Sequence, residues 1–186
     1  MKDTSKLFIV VSGQPGAGST VIAKNLAKRL GLRFFSPGFI QKGITEKQDN
    51  ETIAVIESWK TEKAKSKKFH SDLDRQQMEL AEKGGVVICG KLSIHFLPNA
   101  DLKVWLDVSL DVRANRTAGR DNITFEEAHE AISSREGIER KEFKRIYGFD
   151  YLEQKQQADL VVDSSDMTES DTIEKIMDSL KKKGLI

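Results

Sequence analysis

Cysteine is almost missing from this chain of 186 residues: Cys89 is the single one, which excludes an internal disulfide framework and a cysteine-rich metal site. A reducing, cytoplasmic compartment is expected. Proline is scarce, with three residues, and 32% charged against 38% hydrophobic residues describes a soluble, helix-rich protein. Neither sign of charge dominates, since 30 Lys and Arg face 29 Asp and Glu. No nucleic-acid partner is expected from that balance. Apolar runs end after a few residues, and Lys2, Asp3 and Lys6 are followed by no signal-like apolar region. Neither export nor a membrane span is expected. His70, His95 and His129 lack the spacing of a metal site.

What is present is a short β-branched run, Leu7 to Val11, that drops into Ser12-Gly13-Gln14-Pro15-Gly16-Ala17-Gly18-Ser19-Thr20 and then into an amphipathic helix. Gly13, Gly18 and Thr20 fit the phosphate-loop pattern G-x-x-x-x-G-K-[ST], while Ser19 holds the lysine position. Glycines let successive amides curl into an anion nest, and the helix N-terminus adds its positive end to the same focus. Thr20 would offer its hydroxyl to a magnesium ion between phosphates. The spacing G-x-x-G-x-G differs from the dinucleotide fingerprint and speaks against nicotinamide or flavin binding. The alternative is a tight strand-to-helix turn that binds nothing.

Along the chain, Ile22, Leu26 and Leu30 share a helix face that Gly31 ends, with Lys28 and Arg29 in the last turn complementing the helix dipole. A second strand is expected over 32–36, broken by Pro37-Gly38, and helices over 39–83. The charge run 60–68 reads as a solvated helix face, with attraction of phosphate as the alternative. Val86 to Cys89 and Leu102 to Leu106 are apolar runs of buried parallel strands, and 159–163 is the last strand. A helix is expected over 108–118, with Arg113, Arg116 and Arg120 at roughly helical spacing. Thr124 with Glu127 and Thr168 with Asp171 read as capping boxes, the first opening a helix to Tyr147 that Gly148 stops. Five strands alternating with helices imply an α/β fold, a parallel sheet flanked by helices in a single domain. Ligands in such sheets lie beyond the carboxyl ends of the strands, where the glycine loop, Ser36, Lys91 and Asp107 would share one cleft.

These residues together resemble the nucleoside monophosphate kinases of the phosphate-loop class, and most closely the archaeal-type cytidylate kinases. The likeness runs through Gly13-Gln14-Pro15-Gly16-Ala17-Gly18, Ser36-Pro37-Gly38, Asp72-Leu73-Asp74-Arg75-Gln76-Gln77, Asn99 to Leu106, Leu110-Asp111-Val112-Arg113 and Tyr147-Gly148-Phe149-Asp150. It implies transfer of the γ-phosphoryl group of ATP, with Mg2+, to CMP or dCMP, by a monomer. It also implies a core of 1–36 and 84–186, a monophosphate-binding insertion at 37–83 and a short lid near 117–124.

Roles carried by the resemblance fall on particular positions. Residues Gly13 to Thr20 would hold the donor phosphates, with Thr20 on the metal. Arg116 and Arg120 stand where lid arginines meet the donor, the alternative being salt bridges to Glu126 and Glu127. Lys91 and Lys42 stand for arginines that hold the acceptor phosphate; plain exposed lysine is the other possibility. Arg135 and Glu139 match an arginine-and-acid pattern facing acceptor and phosphates, while Glu142 replaces its second arginine. Ser36, Asp74 and Arg75 would border the acceptor, although Asp74 with Arg75 also reads as a solvated pair. Cys89 occupies the place of a carboxylate that organises the metal's water, so two electrostatic elements are weakened at once. Some archaeal members share a hydroxyl residue at the lysine position. The competing functions are a nucleotide-binding protein without turnover and a kinase for another small acceptor.

Overall fold

The computed structural model describes residues 3–44 and 50–186; residues 1–2, with Lys2, and 45–49 of the expected insertion lie outside it. Five strands, β1 (Phe8–Gly13), β2 (Arg33–Phe35), β3 (Val86–Cys89), β4 (Leu102–Asp107) and β5 (Leu160–Asp163), form one sheet in the order β2-β3-β1-β4-β5. All neighbours pair in parallel, as the expected α/β fold requires. Alternation along β1 divides the core: Ile9 and Val11 face helices α1 (Ser19–Leu30) and α9 (Glu169–Lys182), packing with Leu26, Ile176 and Leu180. Phe8 and Val10 face the other layer with Trp59, Trp105, Phe143 and Tyr151.

The helices between are α2 (Pro37–Lys42), α3 (Glu51–Ser58), α4 (Glu62–Lys65), α5 (Lys67–Lys83), α6 (Ser93–Phe96), α7 (Leu110–Asp121) and α8 (Phe125–Tyr147). Both capping boxes form as expected, at Thr124 with Glu127 and at Thr168 with Asp171. No helix among the described residues is long and apolar enough to cross a membrane.

Several local expectations are corrected. Pro37 does not merely break β2: Ser36 is the N-cap of α2 and Pro37 its first residue, where proline's fixed φ suits a helix and its missing N–H costs nothing. The run 60–68 is not one helical face, because Ser66 ends α4 and caps α5, and Ala64 is buried. Helix α7 starts at Leu110 rather than Val108, with the Ser109 hydroxyl accepting from the Val112 amide. It continues to Asp121, so residues 117–121 of the expected lid are helical; Asn122, at φ 53°, makes the turn into α8.

Candidate functional site

The carboxyl ends of the strands open onto a cleft of about 740 Å³, within the range of small-ligand sites. One wall is the loop from Gly13 to Thr20. Gly16 sits at φ 79° and Gly18 at φ 86°, the left-handed conformation that glycine alone adopts freely, and Gly18 is the N-cap of α1. The helix therefore begins at Ser19 with its amides at the mouth of the loop. That is the geometry of an anion site.

Three cations reach this loop from two elements. Lys91 Nζ, just beyond β3, donates to Gly13 O at 2.8 Å. Arg113, from α7, donates to Pro15 O at 3.1 Å and to Glu136 at 2.9 Å; Glu136 also receives Gln14 Nε2 at 3.4 Å. Arg116, one turn on, donates to Ala17 O at 3.2 Å and to Ser164 O at 2.5 Å. Arg113 is buried, and its part was missed in the sequence. Its spacing of three from Arg116 on one helix face was the available signal.

Neither Arg116 nor Arg120 takes Glu126 or Glu127 as the partner. Arg120 is gripped in two places by Asp121, at 2.6 and 2.7 Å, and approaches Thr52 and Glu51 across the cleft. Glu127 is committed to the capping box instead. Lys42 pairs with Glu51 at 2.6 Å, so this one carboxylate joins the insertion to the end of α7. Lys42 and Arg120 pull its proton affinity below the ordinary range against the opposing effect of burial.

Behind the cleft floor stands Glu139, 2% exposed. Its Oε1 accepts from Arg135 Nε at 2.8 Å, and its Oε2, without a hydrogen bond, lies 3.6 Å from Lys91 Nζ. Burial drives the Lys91 ammonium down to about 8, with Glu139 opposing that shift. Burial likewise raises the Cys89 thiol, whose sulfur is 3.9 Å from Thr20 Oγ1.

On the acceptor side expected from the sequence, Ser36, Lys42, Asp74, Lys91 and Arg135 line the same cleft. Asp74 accepts from Tyr147 Oη at 2.5 Å and from Gln77 Nε2 at 3.0 Å. Burial pushes this carboxyl up to about 6. Arg75 is not brought there: it points off the exposed side of α5 toward Asp72 and Glu79, because adjacent helix residues are separated by about 100°. Glu142 pairs with Arg145, and the expected solvated pair of Asp74 with Arg75 does not form. Lys24 and the exposed Phe39 also line the cleft.

Among the described residues no three His, Cys, Asp or Glu side chains are grouped to hold a metal. The Thr20 hydroxyl at the loop's end fits an ion that arrives on phosphate oxygens and keeps much of its water, as magnesium does.

Residues 8–166 match the model of the cytidylate kinase-like family. The cytidylate kinase of Pyrococcus horikoshii is 37% identical over 145 residues, which span 78% of this chain and 73% of that one. The cytidylate kinase of Thermococcus kodakarensis is 35% identical over 159 residues, 86% of this chain and 80% of the relative. The fold is also that of the shikimate kinase of Acinetobacter baumannii in complex with shikimate, at a TM-score of 0.62 and 16% identity over 98% of this chain and 97% of the other. A glycine loop of this geometry, a five-stranded parallel sheet in this order and an alignment that spans most of both chains lead to one assignment: the chain belongs to the cytidylate kinase-like family.

Proposed function

We propose that this protein transfers the γ-phosphoryl group of ATP to CMP or dCMP, giving CDP or dCDP. The observation that carries it is one cleft bordered by the glycine loop on one side and by Lys42, Lys91, Arg116, Arg120 and Arg135 around it. Two polyanions brought face to face need this concentration of positive charge. A phosphate oxygen of the acceptor is already ionised, so attack on the γ-phosphorus needs no general base; the new P–O bond forms as the bond to the β-phosphate oxygen breaks. The protein's task is then alignment and charge stabilisation.

The loop from Gly13 to Thr20 holds the donor's phosphates, and Arg116 and Arg120 meet the donor from α7. Lys42 and Arg135 hold the acceptor phosphate, with Ser36 and Asp74 on the nucleoside. Thr20 would hold a magnesium ion, whose charge would offset that of the phosphates. Residues 37–83 act as the acceptor-binding insertion and 117–124 as the corner that closes on the donor. The substrates are free nucleotides, and the enzyme acts as a cytoplasmic monomer.

Support for CMP comes from the names of the relatives. Assay of CMP, dCMP, UMP, AMP and shikimate with ATP and magnesium tests it: preferential formation of CDP and dCDP is expected, and no product from CMP or dCMP would overturn it. A second reading, nucleotide binding without useful turnover, is favoured by Ser19 and by the buried, protonated Cys89 thiol beside Thr20. It requires nucleotide binding by calorimetry together with no product from any acceptor.

A further inference from the structure

Ser19 leaves the loop without the ammonium that would reach the terminal phosphates. The three arginines of α7 do not replace it. Arg113 is 3% exposed, with Val108 O, Pro15 O and Glu136 as fixed partners, so it does not reach the cleft. Arg116 spans from Ala17 O to Ser164 O, at the end of β5 and on the side away from β3. Arg120 is neutralised in place by Asp121.

Lys91 differs in where it comes from and in what its head group leaves unpaired. Strands β1 and β3 are neighbours with Val11 level with Cys89, so two residues further along Lys91 stands level with Gly13. Its carbonyl is fixed by Gln154 Nε2 at 2.7 Å, which anchors the stem of the side chain. The ammonium makes one hydrogen bond to the loop, at Gly13 O, which leaves N–H groups for phosphate oxygens. It keeps 19% of its side chain exposed and lines the cleft. Glu139 Oε2 at 3.6 Å and the Tyr151 ring at 5.6 Å supply negative charge and a π face to the ammonium.

We propose that Lys91, delivered from the neighbouring strand, takes over the task of the missing loop lysine and grips the terminal phosphates of the bound nucleoside triphosphate. This rests on the kinase reading above and departs from the acceptor-side role that the sequence suggests for Lys91. A compact ammonium on a flexible stem suits a migrating phosphoryl group, since it can follow the charge as a point donor.

Complementation separates the two roles. The full chain and its variants Lys91→Met, Lys91→Arg, Ser19→Lys and Ser19→Lys/Lys91→Met are titrated by calorimetry with Mg-ATP and, separately, with CMP, and turnover is measured. Lys91→Met is expected to weaken Mg-ATP by about tenfold or more and to lower kcat by about 10²-fold, the scale of losing one well-placed electrostatic group. CMP affinity should stay within about threefold, a difference of under ~1 kcal/mol. Ser19→Lys should recover at least about tenfold of the loss in the double variant, a difference of ~1.4 kcal/mol, and Lys91→Arg should keep Mg-ATP affinity close to wild type. Weakened CMP with unchanged Mg-ATP in Lys91→Met overturns the inference, as does a double variant no better than Lys91→Met. If Lys91→Met does not fold, failure of Lys91→Arg to bind Mg-ATP while it still binds CMP overturns it equally. A wild-type chain that binds Mg-ATP but forms no CDP would instead overturn the kinase reading and leave the binding comparison intact.

Discussion

The Tyr147 hydroxyl donates to Asp74 at 2.5 Å across the gap between α8 and α5. Gln77 holds the other carboxylate oxygen, and its own Oε1 receives the Ser93 hydroxyl at 2.7 Å. This chain of side chains sets one wall of the cleft and places a reluctant carboxylate on it.

Asp74, raised from 3.8 to about 6, binds a proton more readily in the folded chain than in the unfolded one. The sign follows: stability falls as pH rises from about 4 to 6, and above 6 the native state carries an ionised carboxylate it disfavours. Asp74→Asn should therefore raise the melting temperature at pH 7.5 by about 2–4 °C, corresponding to ~1 kcal/mol in a chain of this size. That gain should vanish at pH 4, while CMP affinity falls. Melting curves at both pH values check it, and an unchanged or lower midpoint at pH 7.5 would contradict it.

Glu51 holds both Lys42 and Arg120, each partly exposed. Glu51→Gln removes the negative charge that offsets Lys42 beside the acceptor phosphate, so acceptor affinity should rise about two- to fivefold at low salt and approach wild type at 0.5 M KCl, where screening is strong. Stability should change by less than ~1 kcal/mol, as for exposed ion pairs. Titrations at two ionic strengths check both parts.

Gly16 and Gly18 share a left-handed backbone but not their surroundings. A Cβ on Gly18 meets nothing within 4 Å, whereas on Gly16 it lies 2.7 Å from Ile132 Cδ1 and 3.1 Å from Arg113 O. Gly18→Ala should cost about 1–2 kcal/mol of backbone strain. Gly16→Ala should cost more, because Ile132 can swing aside but the Arg113 backbone cannot. Denaturant unfolding of the two variants orders them, and the reverse order would refute it.

Arg113 ties α7 to Pro15 and to Glu136 of α8. Removing one partner of a fully buried ion pair costs about 3–5 kcal/mol. Glu136 keeps 20% of its side chain exposed, so Arg113→Met should lose about 2–4 kcal/mol. It should also weaken Mg-ATP through a loosened loop. A variant as stable as wild type by urea unfolding would show that the bond to Pro15 carries little.

The fold was legible because its signals are local. Val86 to Cys89 is continuous and apolar because a central parallel strand is covered on both faces. Thr124 with Glu127 and Thr168 with Asp171 satisfy their own helix starts within three residues. Gly31 and Gly148 end helices in the left-handed conformation that their lack of a Cβ permits. The length of α7 was less legible: Gly119 weakens the helical pattern, but packing of α7 on α8 carries the helix on to Asp121.

From residue order alone came the alternating strands and helices, the glycine loop and the loss of its lysine at Ser19, since each of these depends on neighbours a few positions apart. Tertiary structure decided which charges meet. Lys91 reaches Gly13 over 78 residues, Arg113 reaches Pro15 over 98 and Tyr147 reaches Asp74 over 73. It also turned Arg75 outward while Asp74 faces in. The reason is physical: backbone geometry follows from short-range sterics and hydrogen bonding, whereas the partner of a long charged side chain depends on strand register and helix packing that bring distant segments together.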